Sequence, residues 1–162
     1  MNRRPSPNLA VVQRLRSVGL QPTRQRLAVA AVMLTRPCHL SADQVIDRLH
    51  ALQEGAADSA FPPPISRATV YATLAQFARA GLLRELHVGP GPVIYDSNTS
   101  RHAHWVDVDT GDVHDLPDNV HWRIEGLDQL PHGLQIQDVQ LVVRVKAVTR
   151  PENLSSKISP HA

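Results

Sequence analysis

Cysteine is almost absent from this sequence: Cys38 is the single copy among 162 residues. One thiol excludes an internal disulfide and any zinc ribbon built on paired cysteines. Long apolar runs are missing too. The longest, Leu27 to Leu34, has eight residues, against the roughly 18 that a membrane-crossing helix needs. The opening Met1-Asn2-Arg3-Arg4 has basic residues but no apolar stretch behind it, so it does not read as a secretory signal, and the expected compartment is the cytosol. Lysine is absent from the first 86 residues, where every basic side chain is an arginine.

What is present points to a folded chain: 42% hydrophobic and 20% charged residues can bury one compact core or two small ones. The formal net charge of +2 hides a strong asymmetry. Residues 1 to 86 carry eleven Arg against five acids (Asp43, Asp47, Glu54, Asp58 and Glu85), a balance of +6, and residues 87 to 162 carry six bases against ten acids, a balance of −4. A basic segment joined to an acidic one rich in histidine, of which the chain has nine copies, suits a polyanion-binding module coupled to a cation-binding module; chance asymmetry is the alternative.

The first half is helical by pattern. Asn8 caps a helix carrying Leu9, Val12 and Leu15 on one face, with Gly19 to end it. Thr23 opens a second, stopped by Pro37. Ser41-Ala42-Asp43-Gln44 has capping-box spacing and leads into the Val45, Ile46 and Leu49 stripe of a third. The stretch from Gln53 to Pro64 lacks periodicity and reads as a loop. Ser66 caps a fourth helix with Val70, Leu74, Phe77 and Ala78 inward and Gly81 at its C-terminal end. The period then changes to two: Leu82 to Val88 and Val93 to Asp96 flank a Gly-Pro turn, and His102 to Val108 and Val113 to Leu116 flank Thr110-Gly111. A short helix is predicted over 118 to 130, and a strand with one buried face over Ile136 to Val148. The tail from residue 151 is polar.

Helices followed by a two-stranded hairpin in a basic segment are the parts of a winged helix-turn-helix. Its reader is predicted to be the fourth helix, which combines short polar side chains near its start with an apolar anchoring face. Ser66, Arg67, Thr69, Tyr71 and Thr73 are the candidates there: Arg67 for a phosphate or a guanine edge, the threonines for phosphates, and Tyr71 for a thymine methyl or, alternatively, the edge of the core. Arg24 and Arg26, with Arg14 and Arg16, form a patch suited to the DNA backbone. Downstream, His102-Ala103-His104 in a strand places two imidazoles on one face about 7 Å apart, which suits one transition-metal ion or simply a solvent-facing strand.

Six ordered pieces of the chain carry a resemblance. Gly19-Leu20-x-x-Thr23-x-x-Arg26, His39-Leu40-Ser41-Ala42, Ala68-Thr69-Val70-Tyr71-x-x-Leu74, Gly81-Leu82, Tyr95-Asp96 and His102-x-His104 are similar in order and spacing to the ferric uptake regulator family, across about residues 9 to 146. The resemblance implies an α+β chain: a winged helix-turn-helix DNA-binding domain over 1–97, then a small α/β dimerisation and metal-sensing domain over 98–150, then the tail 151–162. It also implies a homodimer, a double-stranded DNA operator with inverted repeats, and one divalent metal per subunit, Fe(II), Mn(II) or Zn(II). The implied ligands are His39, Asp96, His102, His104 and Asp115, a mixed nitrogen and oxygen set. For Asp115 the spacing leaves the face open: a two-residue turn at Thr110-Gly111 sets it opposite Val106 on the His104 side, and a glycine bulge turns it away.

The departures from the family pattern are informative. Members with a structural zinc carry Cys-x-x-Cys pairs, and the first falls here on Asp107 and Thr110, so no four-cysteine zinc is expected. In this the chain most resembles the iron response regulator branch, whose members report iron through haem, yet the order Pro37-Cys38-His39 is not that branch's Cys-Pro motif. Cys38 fits a haem thiolate or, more simply, a packed helix-end cysteine. Two further readings stand beside the metal-responsive regulator: a haem- or peroxide-sensing regulator, and a small metal-dependent hydrolase. For the last, no open coordination position or substrate pocket is marked in the sequence.

Overall fold

The computed structural model describes residues 9–54 and 64–148. The expected Asn8 cap, most of the 53–64 loop and the tail 151–162 lie outside them. By its internal contacts the chain divides between Arg101 and His102 into two compact units. Among the described residues no helix is long and apolar enough to cross a membrane.

The first unit contains α1 (Leu9–Ser17), α2 (Arg24–Met33), β1 (His39–Ser41), α3 (Ala42–Glu54), α4 (Arg67–Arg79), β2 (Arg84–Leu86) and β3 (Ile94–Asp96). Three of the four helix starts are set as their sequence signals predict. The Thr23 hydroxyl accepts from the Arg26 amide at 3.3 Å, and the Ser66 hydroxyl from the Thr69 amide at 3.1 Å. At α3 the capping box closes both ways: Gln44 N–H donates to Ser41 Oγ at 3.2 Å, and Ser41 N–H to Gln44 Oε1 at 2.8 Å. At the end of α4, Leu82 N–H reaches Phe77 O and Gly81 N–H reaches Ala78 O, the paired bonds of a Schellman stop. That stop needs the left-handed backbone of Gly81, whose φ is +73°. Phe77, Leu74, Val70, Leu15, Val29, Met33, Val45 and Leu49 are buried together in the helical core.

The hairpin after α4 is joined by a strand that periodicity does not reveal. β1 pairs antiparallel with β3, giving the sheet order β1-β3-β2. His39 thereby lies opposite Asp96, Leu40 opposite Tyr95 and Ser41 opposite Ile94. Three residues leading directly into a helix are too short to show alternation.

The second unit contains β4 (His104–Asp107), β5 (Val113–Asp115), a single 3-10 turn (Leu127–Gln129) and β6 (Val142–Val145), in a sheet of order β5-β4-β6 with β6 parallel to β4. Two expectations are corrected here. The helix predicted over 118–130 is reduced to that one turn, because Gly126 adopts φ +78° and interrupts it, and Val120, Trp122, Ile124 and Leu130 stay exposed. A short helix gains most of its stability by packing its apolar face, and among the described residues these side chains bury no such face. The closing strand spans Val142–Val145 instead of 136–148, and none of its residues is buried. The expected alternation of a buried and an exposed face is not seen: Val143, across from Trp105, is exposed, and the described residues supply no layer to cover it.

Truncating Phe77 to Ala should destabilise the first unit by about 3–5 kcal/mol, because the ring is fully buried and leaves a cavity. Urea denaturation followed by circular dichroism reads this; a loss under about 1 kcal/mol would contradict the assigned core.

Candidate functional site

In the first unit, the β1–β3 pairing positions two donors. His39 Nε2 is 3.5 Å from Asp96 Oδ1, with the Asp96 side chain fully buried and the His39 side chain 11% exposed. Two loops fix this arrangement. Ser97 and Cys38 are stitched together, Cys38 N–H donating to Ser97 Oγ at 2.9 Å and Ser97 N–H to Cys38 O at 3.2 Å. Asn98 N–H donates to Asp96 Oδ1 at 2.7 Å, an Asx turn that orients the carboxylate.

In the second unit, three donors gather on one sheet face. His102 Nε2 lies 2.9 Å and His104 Nε2 3.7 Å from Asp115 Oδ1, and the two imidazole rings sit 4.3 Å apart at a 56° tilt. His104 is buried. Asp115 pairs directly with His104 across β4–β5 and Val113 with Val106. This is two residues away from the register of a two-residue turn, because Val108 to Gly111 form a four-residue loop closed by Gly111 N–H on Asp107 O at 2.7 Å. A shift by two preserves the face, so Asp115 is on the His104 side. His114 lies on the opposite face, stacked on Trp105 at 4.2 Å.

Each unit thus offers imidazole nitrogen beside carboxylate oxygen, a donor chemistry that fits a borderline divalent ion such as Fe(II), Mn(II) or Zn(II). Asp96 and His104 are buried and Asp115 is 42% exposed; a buried carboxylate needs a compensating partner, as a solvated surface carboxylate does not. Burial pushes the Cys38 thiol above the ordinary value of 9.0, against an opposing hydrogen bond with Ser97, and Sγ lies 3.7 Å from Met33 O and 3.9 Å from Val32 O. Where the family's first thiol pair falls, Asp107 Oδ1 instead accepts the Asp109 amide at 2.8 Å and the Thr110 amide at 3.4 Å, shaping the loop.

The candidate DNA-facing residues divide. Ser66, Arg67 and Tyr71 are exposed on the first turns of α4, and Arg24 is exposed at the start of α2. Thr73 is a correction: at 4% exposure it lies in the buried stripe Val70, Thr73, Leu74, Phe77, spaced i, i+3, i+4, i+7, and cannot reach a phosphate. Thr69 is half-buried and its hydroxyl is 2.8 Å from that of Ser66. Arg26 ties helices together, its Nε donating to Gln76 Oε1 at 3.2 Å and its guanidinium to Gln21 O at 2.9 Å. Tyr71 is 45% exposed, so its ring is not a core group.

The family model of the ferric uptake regulators matches residues 17–144. The chain belongs to the ferric uptake regulator family. Its members are metal-responsive transcriptional regulators and not enzymes, which removes the hydrolase alternative. The chain is 33% identical over 110 residues to the ferric uptake regulation protein of Vibrio cholerae, covering 67% of each. The structure is similar to the crystal structure of the Vibrio cholerae ferric uptake regulator, with a TM-score of 0.61 and 28% identity over 84% of this chain and 98% of that one. It is also similar to the Pseudomonas aeruginosa ferric uptake regulator solved with manganese, with a TM-score of 0.56 and 26% identity over 85% and 97%.

The raised thiol predicts that alkylation of Cys38 by iodoacetamide increases with pH through a midpoint above 9.0. Below that midpoint the group is the unreactive thiol. A rate profile with its midpoint at or below that of free cysteine would contradict the desolvated setting.

Proposed function

We propose that this chain is a homodimeric, iron-responsive transcriptional regulator in which one divalent ion per subunit joins donors of both units and so controls binding to an inverted-repeat operator. The ligands are His39 and Asp96 from the first unit and His102, His104 and Asp115 from the second. The observation that carries the reading is that a histidine and a carboxylate lie together on either side of one short connection, with Asp96 and His104 buried and Asp115 exposed: Asp96 ends β3, and His102 follows after only five residues. A tether of that length holds the backbones of Asp96 and His102 within about 20 Å even when fully extended. Closure over a common ion therefore loses little chain entropy.

The bound ion supplies fixed positive charge that the imidazole nitrogens and carboxylate oxygens share. What this chain contributes is the orientation: the Asn98 amide and the Ser97–Cys38 stitch hold one pair, and the β4–β5 register holds the other. An ion that favours the joined arrangement 100-fold supplies about 2.7 kcal/mol of coupling to operator affinity. Operator binding is assigned to α4, with Arg67 and Tyr71 toward base edges and Arg24 toward the backbone. Dimerisation is supported by the apolar side chains left exposed in the second unit, among them Val143, Trp122, Ile124 and Leu130. The lack of thiols at positions 107 and 110 favours the iron response regulator branch, with a directly bound divalent metal ion taken as the signal. A regulator that binds the operator works where the DNA is, in the cytosol.

His104→Ala, measured below its melting temperature, should reduce Mn(II)-dependent binding to a duplex selected by the wild-type protein by at least about tenfold, the loss of one ligand's coupling. Fluorescence anisotropy with and without chelator measures it. An unchanged metal response would remove the assigned centre.

A further inference from the structure

Asp43, an acid in a basic unit, sits at the point where DNA is expected to approach. It occupies the first turn of α3, where the helix dipole favours the ionised carboxylate and where the Ser41–Gln44 box fixes the backbone. Its Oδ1 accepts two hydrogen bonds from α4: from the Arg67 guanidinium, and from the Tyr71 hydroxyl at 3.1 Å. Arg67 and Tyr71 are i and i+4 on one face, so a single oxygen gathers the two longest polar side chains at the start of that helix. All three side chains are exposed, with Arg67 at 64% and Asp43 at 55%. As a surface ion pair this adds little to stability, which directs attention to what the arrangement does to its partners.

We propose that Asp43 is a positioning residue that sets the operator specificity of this chain, by holding Arg67 and Tyr71 in one orientation and by cancelling the Arg67 charge toward random phosphates. The inference rests on the reading of α4 as the DNA-facing helix. A free arginine offers its charge to any phosphate and so strengthens binding to every sequence equally. An arginine already paired with a carboxylate has less to gain from a phosphate. It is also preset in direction for a guanine edge, which rewards bidentate geometry and not charge alone. Tyr71 benefits likewise: with its hydroxyl anchored on Asp43, the ring is fixed edge and face before DNA arrives, and less rotamer freedom is lost on binding. Sequence reading does not reveal this because Asp43 also satisfies the ordinary preference for an acid in a first helical turn.

The test uses the full chain with Mn(II), a duplex selected by the wild-type protein from a random pool, and a random duplex of equal length, over a range of salt concentrations. Asp43→Ala should tighten binding to the random duplex and steepen the slope of log affinity against log salt by about one per bound subunit, the signature of an added phosphate contact. It should also lower the ratio of selected to random affinity about tenfold, the scale of one lost base contact. Asp43→Asn, which keeps an acceptor and the fold of the turn, should steepen the slope in the same way. In an Arg67→Ala/Tyr71→Phe background, Asp43→Ala should change neither quantity, because the residue acts through those two side chains. An unchanged slope and ratio in both single variants, with wild-type melting, would overturn the assignment. So would an effect of Asp43→Ala that persists in the double-variant background, which would make it a long-range charge effect. Failure of the wild-type protein to select any duplex would instead overturn the DNA-binding reading itself.

Discussion

The antiparallel pairing of β1 with β3 is the constraint on which the functional centre depends. It sets His39 across from Asp96, whose carboxylate is completely removed from water. An ionised carboxylate in such a place is costly unless hydrogen bonds and an opposite charge compensate it. One amide, that of Asn98, and one imidazole, that of His39, lie beside it in the same unit. The same pairing also fixes the base of α3, since Ser41 both ends β1 and caps that helix. A single three-residue strand therefore links the donor pair at one of its ends to the helix carrying Asp43 at the other.

The second unit solves a related problem with a sheet face instead of a loop. The alternation of β4 places His104 and Val106 together, and the β5 register brings Asp115 opposite the first and Val113 opposite the second. The histidine and carboxylate donors thus lie at one end of a face that continues into Val106 and Val113, with Arg144 of β6 opposite Val106. Trp105, His114 and Val143 share the other face. The charge asymmetry follows this division of labour, with arginines concentrated in the unit assigned to a polyanion and acids in the unit carrying most of the histidine donors.

Much of the helical half was legible because its signals are local. Thr23, Ser41, Ser66 and Gly81 each act within a few residues of their own position, and each does in the structure what its type and spacing predict. What could not be read depends on distant partners. β1 is too short for a period, and only β3, more than fifty residues on, reveals it as a strand. A helix is expected over 118–130, but Gly126 is left-handed and the apolar side chains of the segment stay exposed. Thr73 reads as a polar residue on a recognition helix, yet the inward stripe is wide enough to include it. The register of Asp115 needed the length of one loop, which no residue pattern specified. The donor residues themselves came from the family resemblance, with the His102-x-His104 pair alone suggested by spacing.

X-ray absorption at the metal edge of the Mn(II)- or Zn(II)-loaded full chain tests most directly whether one ion draws on both units. Three imidazole ligands with carboxylate oxygen are expected in the wild-type protein, with one imidazole lost in His39→Ala and one lost in His104→Ala at the same single equivalent of metal. A spectrum unaltered by His39→Ala, with the stoichiometry retained, would contradict the shared centre and leave the ion bound to the second unit alone.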